Sequence, residues 1–110
     1  MNKLLLIDIG GTNMRYATAY SDSDEISSIN KKAFNEATFY ENLEELIKEH
    51  NINTLIMSVA GPKIDNSITM TNKNFSFNQD NLKEKFKLKE CYLLNDWESI
   101  AHSYSYIKES

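Results

Sequence analysis

The chain has 110 residues, an apolar fraction of 41%, and a formal net charge of −4 from 12 basic and 16 acidic residues. This length and composition are typical of one compact domain with a buried core, and they exclude a wholly disordered chain. The acidic balance and the absence of a basic block argue against nucleic acid as a partner. The single cysteine excludes an internal disulfide. The longest apolar run, Leu4 to Ile7, is far too short for a membrane helix, so the sequence predicts a cytoplasmic protein without membrane contact.

The first third of the chain predicts an antiparallel meander. Leu4 to Ile9 is an apolar run broken only by an aspartate, which is typical of a buried strand. Gly10-Gly11-Thr12 predicts a turn, and the alternation from Asn13 to Tyr20 predicts an antiparallel return strand. The polar cluster Ser21 to Glu25 predicts a second turn, and Ile26 to Phe34 is predicted to be a third strand.

The hydrophobic period then changes to that of a helix. Between Phe39 and Ile47 the apolar residues recur at i, i+4, i+7 and i+8, the spacing of one helix face. Thr38 followed by Glu41 predicts a capping box at the start of this helix. Asn51 predicts its end, because asparagine tolerates the left-handed backbone of a helix stop.

The rest of the chain predicts a strand, a hairpin, a helix, a strand and a helix. The predicted segments are a buried strand from Thr54 to Val59 closed by Ala60-Gly61-Pro62, a hairpin turn at Asp65-Asn66, a helical turn from Asn81 to Phe86, a buried strand from Cys91 to Leu94, and a helix from Trp97 through Tyr104. This order predicts an α/β domain with a mixed sheet, in which three strands are parallel neighbours joined by helical crossovers.

Three of the predicted strands end in polar or glycine-containing segments. These are Asp8 followed by Gly10 to Asn13, then Ala60-Gly61-Pro62, and finally Asn95-Asp96; all 3 glycines of the chain lie at these ends. Ligands of open α/β sheets bind at the carboxyl ends of the strands. The sequence therefore predicts one rim that collects two carboxylates and two loops able to approach a ligand closely.

The first of these segments has the composition of a phosphate-binding turn. A glycine pair followed by Thr12 and Asn13 allows main-chain N–H groups to cradle anionic oxygens, and the threonine hydroxyl adds a donor. Asp8 can hold a magnesium ion directly or through water. A plain hairpin turn is the alternative. The chain has no Walker loop and no dinucleotide fingerprint, and the strand-like sequence after Gly11 favours a phosphate-binding hairpin.

The other polar residues also allow two interpretations each. Asp96 can accept a proton from a substrate hydroxyl while Asn95 binds a second hydroxyl, or the pair can simply cap a helix. Thr71-Asn72 predicts either a loop over a polyol or an ordinary turn. Arg15 is interpreted as the partner of a phosphate or, preferably, as half of an ion pair on the sheet surface.

Taken in order, these motifs resemble those of bacterial glucokinases, within the sugar kinase, Hsp70 and actin superfamily. Asp8 to Arg15 resembles the first phosphate motif of that family, and Ala60-Gly61-Pro62, Met70 to Phe77 and Leu94 to Trp97 follow in the family's order and approximate spacing. The resemblance implies a ribonuclease H-like mixed sheet, with an antiparallel meander plus parallel strands flanked by helices, as in the small lobe of sugar kinases.

The same resemblance implies ATP-dependent phosphorylation of glucose at its 6-hydroxyl, with ATP and Mg²⁺ as cofactors. Asp96 is then the general base, Asn95 and Asp96 bind the sugar, and Asn72 lies close to the sugar pocket. The residues implied along the ATP phosphates are Asp8, Gly10, Gly11, Thr12 and Asn13, with Asp8 near Mg²⁺.

Family members are longer and carry a second lobe with further adenosine and sugar contacts. The 110 residues are therefore expected to be a single domain, the N-terminal lobe of such a kinase without its C-terminal lobe, and to be inactive alone. Because these kinases often dimerise, a homodimer is one state open to the full-length protein. Another sugar or amino-sugar kinase of the superfamily, and a non-catalytic binding module with this fold, remain alternatives.

Overall fold

A computed structural model of the protein describes residues 3–10, 13–20, 29–70 and 75–95. Within these residues the elements, in chain order, are β1 (Lys3–Ile9), β2 (Asn13–Tyr20), β3 (Asn30–Ala33), α1 (Phe39–His50), β4 (Thr54–Val59), β5 (Lys63–Ile64), β6 (Ser67–Thr69), β7 (Ser76–Asn78), α2 (Gln79–Lys85) and β8 (Glu90–Leu94). They form a five-stranded sheet in the order β3-β2-β1-β4-β8 and a three-stranded sheet in the order β5-β6-β7.

The five-stranded sheet is mixed, as the sequence predicts. Strand β1 pairs with β2 and β2 with β3 in antiparallel fashion, which confirms the meander. On its other side β1 is parallel to β4, and β4 is parallel to β8. The chain is therefore an α/β domain with a mixed five-stranded sheet, an antiparallel meander plus parallel strands.

The parallel strands β1 and β4 are buried on both faces, which explains their continuous apolar sequences. One face packs on α1, whose buried residues are Phe39, Leu43, Leu46 and Ile47. The residues of β1 on that face are Leu5, Ile7 and Ile9. The opposite face carries a second cluster formed by Leu4, Leu6 and Ile56. Because Asp8 lies two positions beyond Leu6 in the same strand, it belongs to this second face.

The predicted capping box at the start of α1 is wrong. Thr38 does occupy the N-cap position, but its side chain makes no hydrogen bond to the main chain of the first turn. Its φ and ψ of −114° and 1° differ from the extended backbone that directs a capping hydroxyl at the helix. The hydroxyl instead accepts a hydrogen bond from the side-chain amide of Asn42 at 3.4 Å.

Four non-glycine residues in the described part of the chain have a left-handed backbone, and two of the predicted turns depend on them. Asn51 has a φ of 54° and ends α1, as predicted. Asp65 and Asn66 have φ of 49° and 65° and connect β5 to β6, which confirms the predicted two-residue hairpin. The fourth residue, Lys87, has a φ of 53° just beyond α2.

Some predicted elements differ in extent from those observed. The third strand was predicted over Ile26 to Phe34, but β3 spans Asn30–Ala33 only; Ile29 lies outside it and Phe34 turns into the core. Strand β7 was not predicted, since three residues are too few to show an alternating period. The predicted turn at 21–25 and the final helix at 97–104 lie outside the described residues.

No helix within the described ranges is long and apolar enough to cross a membrane.

Candidate functional site

The carboxyl ends of β1, β4 and β8 lie side by side at one edge of the five-stranded sheet. Ile9 is in register with Val59, and Ser58 is in register with Leu94. The segments that begin at Gly10, Ala60 and Asn95 therefore leave the sheet at the same edge. Only β4 separates β1 from β8, so their ends are about 10 Å apart. This strand order confirms the prediction that three strand ends meet. We call the edge of the sheet at which β1, β4 and β8 end the carboxyl edge.

The predicted site residues divide into two groups. Those that the structure describes are Asp8, Gly10, Asn13 and Asn95; those that lie outside the described residues are Gly11, Thr12, Asn72 and Asp96. Asn95 is exposed and directly follows β8, and Asn13 is exposed at the first position of β2. Both residues therefore lie at or near the carboxyl edge.

The β1–β2 hairpin is closed by its own main chain. The N–H of Gly10 donates a hydrogen bond to the carbonyl of Asn13 at 2.8 Å. That N–H is therefore occupied and does not contribute to a phosphate cradle. What Gly10 offers a ligand is a backbone without a side chain. Among the described residues, a Cβ built there would meet the Asn13 carbonyl at 3.4 Å.

Asp8 forms an ion pair with Arg15 across the hairpin. The two residues are opposite each other in the antiparallel register, and Nη2 of Arg15 donates to Oδ2 of Asp8 at 2.6 Å. The Asp8 side chain is 18% exposed and the Arg15 side chain 51% exposed. This contact confirms the interpretation of Arg15 as half of an ion pair on the sheet surface. A charge-assisted hydrogen bond of this length fixes the direction of the Asp8 carboxylate.

Gly61, two residues beyond the end of β4, makes a close contact inside the domain. The sequence predicted only that its loop could approach a ligand closely. In the structure, a Cβ at Gly61 would lie 2.0 Å from the carbonyl oxygen of Thr69 in β6. The glycine is therefore required by the contact between this turn and the β5–β6 hairpin, which is internal to the domain.

Ser58 is a polar residue of the carboxyl edge that the sequence analysis missed. It lies within the apolar strand β4, is 2% exposed, and is in register with Asp8 on the neighbouring strand. Residues that pair in this way point to the same face of a sheet, so Ser58 lies beside Asp8. The available signal was the single hydroxyl residue in the Leu-Ile-Met-Ser-Val run, one position before the strand ends.

The donor set at Asp8 suits magnesium held jointly with a ligand. A carboxylate is the hard oxygen donor that Mg²⁺ prefers, and Mg²⁺ is usually held by one or two carboxylates together with phosphate oxygens and water. Among the residues that the structure describes, no group of three or more His, Cys, Asp or Glu side chains could hold a metal ion. The Asp8 carboxylate thus fits a magnesium ion whose other ligands are phosphate oxygens and water.

Cys91 takes no part in chemistry at this edge. It lies near the amino end of β8 and is buried in the core beside α2. Burial raises the pKa of the Cys91 thiol to about 12, so the thiol is protonated at neutral pH and is a poor nucleophile.

Comparison with known proteins gives consistent relatives. The sequence model of the family described as Glucokinase matches residues 5–110. The glucokinase of Colwellia psychrerythraea is 36% identical over 101 residues, which cover 88% of this chain and 31% of that protein.

Two solved structures share the fold. The glucokinase from an Antarctic psychrotroph superposes with a TM-score of 0.72 at 21% identity, covering 88% of this chain and 33% of that one. The glucokinase from Balamuthia mandrillaris, solved in complex with glucose, gives a TM-score of 0.64 at 20% identity, covering 88% and 30%. The chain therefore spans about a third of the length of these relatives.

Proposed function

The chain belongs to the glucokinase family, and we propose that it is the N-terminal part of an enzyme that transfers a phosphoryl group from ATP to the 6-hydroxyl of glucose. The observation that carries this proposal is the carboxyl edge. It brings the end of β1, with Asp8, next to the ends of β4 and β8. Phosphoryl transfer depends mainly on positioning and on charge stabilisation, and this edge supplies groups for both.

On the sugar side, the proposal assigns Asp96 as the general base on the glucose 6-hydroxyl. Asn95 binds a further hydroxyl with its amide, and Asn72 contributes to the same pocket. The exposed position of Asn95 directly after β8 supports this assignment, because the next residue along the chain is Asp96. A base close to the attacking hydroxyl removes its proton as the bond to phosphorus forms.

On the nucleotide side, the proposal places the ATP phosphates over the β1–β2 hairpin, along Gly10, Gly11, Thr12 and Asn13. Gly10 permits the phosphates to approach the main chain closely, since it has no side chain. Its own N–H is hydrogen-bonded to the Asn13 carbonyl, so it is not a donor to the phosphates. Asp8 holds Mg²⁺, directly or through water, together with the phosphate oxygens. When bound, the metal neutralises charge on the phosphates. The hairpin fits this role because its register fixes the Asp8 carboxylate relative to the turn.

We further propose that the complete active site needs a second lobe. The chain covers about a third of the relatives it matches, and a two-lobed cleft excludes water and completes the catalytic groups when it closes. On this proposal the 110 residues form a single N-terminal domain of a cytoplasmic enzyme, and they have no useful turnover alone. Contact with a partner copy, as a homodimer, belongs to the complete enzyme.

A chimera tests the proposal. Residues 1–110 replace the matching third of the Colwellia psychrerythraea glucokinase, and turnover is followed by coupled ADP release with glucose, other hexoses and amino sugars. We expect turnover from the chimera, highest with glucose, and none from the 110-residue chain. Turnover by the chain alone would contradict the need for a second lobe. A chimera that prefers an amino sugar would instead identify a different sugar kinase.

The base is tested by Asp96→Asn in the chimera, with glucose binding measured by calorimetry. We expect kcat to fall about 10²- to 10⁴-fold while glucose still binds. The matched control is Asp80→Asn, the same change at an exposed residue in the first turn of α2. If Asp96→Asn and Asp80→Asn lose equally little turnover, Asp96 is not the base. A chimera that binds glucose but turns over nothing would indicate a non-catalytic binding module.

A further inference from the structure

A row of polar residues crosses the sheet one position before the carboxyl edge. Asp8 of β1 is in register with Arg15 of β2 on one side and with Ser58 of β4 on the other. Arg15 is in turn in register with Lys31 of β3. Residues in register point to the same face. The row across four adjacent strands is therefore Lys31, Arg15, Asp8 and Ser58. Both cations lie on the same side of the Asp8 carboxylate, with Arg15 next to it and Lys31 beyond.

The charge of Lys31 favours the contact between Arg15 and Asp8. Lys31 and Arg15 are directly opposite each other on an antiparallel pair, and like charges in that arrangement repel. The repulsion favours a guanidinium that leans away from β3 and towards β1. The observed geometry agrees, because Nη2 of Arg15 lies 2.6 Å from Oδ2 of Asp8.

The contact also has consequences for any cation that approaches Asp8. Arg15 occupies Oδ2, and its charge compensates the charge of the carboxylate. Asp8 is 18% exposed, so the pair is less screened by solvent than an ion pair on an open surface. A divalent ion must displace the guanidinium or share the carboxylate with it. In both cases it meets the repulsion of a fixed positive charge within a few ångströms.

From this geometry we propose that Arg15 is a positioning residue that keeps Asp8 oriented and closed to free divalent cations, so that the metal enters only together with phosphate oxygens. The inference rests on the proposed function insofar as Asp8 is the metal ligand. Among the described residues, Asp8 does not belong to any group of three or more His, Cys, Asp or Glu side chains that could hold a metal ion. Phosphate oxygens supply the missing ligands and the negative charge that offsets Arg15.

The test measures binding of free Mn²⁺, without nucleotide, to the 110-residue chain. Paramagnetic broadening of the amide NMR signals of Ile9 and Gly10 reports ion binding at Asp8. We expect Arg15→Met, which keeps an apolar stem but removes the charge, to bind Mn²⁺ about three- to tenfold more tightly than the unmodified chain. Arg15→Lys, which retains the charge, should stay within about twofold of the unmodified chain.

Two controls separate this effect from simpler ones. Lys31→Met makes the same charge change in the same row, at a residue that is not the partner of Asp8. The change in the logarithm of Mn²⁺ affinity should be less than half of that produced by Arg15→Met. Adding Asp8→Asn to Arg15→Met should abolish the broadening. Dispersed amide spectra verify that each variant is folded. We expect folded variants because the Arg15 side chain is about half exposed.

The outcomes decide the proposal in each case. Tighter Mn²⁺ binding in Arg15→Met alone supports it. Equal affinity in Arg15→Met and the unmodified chain, or an equal gain in Lys31→Met, overturns it while leaving Asp8 as a metal ligand. The absence of broadening in every variant overturns both this proposal and the metal role of Asp8. The assignment of Asp96 is judged separately, by turnover of the chimera.

Discussion

Replacing Gly61 with alanine should destabilise the domain more than the same change at Gly10, the other glycine that the structure describes. The reason is a close approach between backbones. A Cβ at Gly61 would lie 2.0 Å from the Thr69 carbonyl oxygen and 3.3 Å from Cγ2 of Ile68. To reach an ordinary van der Waals distance, the end of β4 and strand β6 must separate by about 1.4 Å. The affected atom belongs to main chain, so no rotation of a side chain relieves the overlap.

The energetic cost follows from what β6 carries. Ile68 is fully buried in the core, and the Thr69 hydroxyl is hydrogen-bonded to that of Ser76 at 2.9 Å. A shift of this size leaves a gap around Ile68, which costs about 1 to 2 kcal/mol. It also weakens one or two hydrogen bonds worth about 1 kcal/mol each. We therefore expect Gly61→Ala to lower the free energy of unfolding by about 2 to 4 kcal/mol, out of about 5 to 15 kcal/mol for a typical domain.

Urea unfolding followed by circular dichroism measures this loss, and the chain contains a matched control. Gly10 lies at the same edge of the sheet, but within the described ranges a Cβ there would meet the Asn13 carbonyl at 3.4 Å, an ordinary contact. Gly10→Ala should therefore change the free energy of unfolding by less than about 1 kcal/mol. The reasoning is refuted if Gly61→Ala stays within about 0.5 kcal/mol of the unmodified chain, or if both changes cost the same.

Two further predictions concern the end of α2 and strand β8. Lys87→Gly should raise the free energy of unfolding by about 1 kcal/mol, because the φ of 53° at Lys87 is costly for a residue with a side chain and not for glycine. The control, Lys83→Gly inside α2, should lower the free energy of unfolding by about 1 kcal/mol. Urea midpoints that shift in the same direction for both variants would contradict this explanation. Burial raises the pKa of Cys91 from 9.0 to about 12, so its contribution to stability is complete below pH 9 and is lost as the pH rises towards 12. Between pH 7 and pH 10 the free energy of unfolding should fall by about 1.4 kcal/mol more in the unmodified chain than in Cys91→Ala. If the two proteins lose the same free energy of unfolding over this range, burial does not raise the pKa of the thiol.

The sequence predicted those parts of the fold in which local pattern and tertiary packing agree. Strand β2 has the predicted bounds, Asn13–Tyr20, and β4 has the predicted bounds, Thr54–Val59. The hairpin at Asp65-Asn66 was predictable because these two residue types tolerate the left-handed backbone that a two-residue turn requires. In each case the residue types alone exclude most alternatives.

The sequence was a poor guide where the geometry depends on the backbone angles of one residue or on a contact between two turns. The Thr38 capping box matches a sequence signature, yet the hydroxyl contacts Asn42 because the backbone entering α1 is not extended. The sequence also did not predict that the turn at Gly61 packs against Thr69, in a different strand. Neither the φ of a single residue nor a contact between two turns is encoded in local hydrophobic period.

The candidate site shows the same division. The convergence of β1, β4 and β8 was predictable, because each is an apolar run that ends in glycine or polar residues. The ion pair of Arg15 was also predicted, but its partner was not, because partners depend on register. Register places Arg15 at the Asp8 carboxylate and Ser58 beside it, and the Gly10 N–H donates to Asn13.

The burial pattern of the sheet also bears on how such an edge can serve a reaction that needs a closing cleft. Strands β1 and β4 are buried on both faces: α1 packs on one face, and on the other their own Leu4, Leu6 and Ile56 form a cluster with Tyr92 and Leu94 of β8. A strand held in this way cannot move without opening two sets of contacts at once, and such strands are among the last to exchange their amide hydrogens. The distance between Asp8 and the end of β8 is therefore a fixed property of the domain. On the proposed function, closure then brings a second lobe towards a rigid edge, so that the geometry at the phosphate and at the sugar hydroxyl depends on one relative motion instead of two.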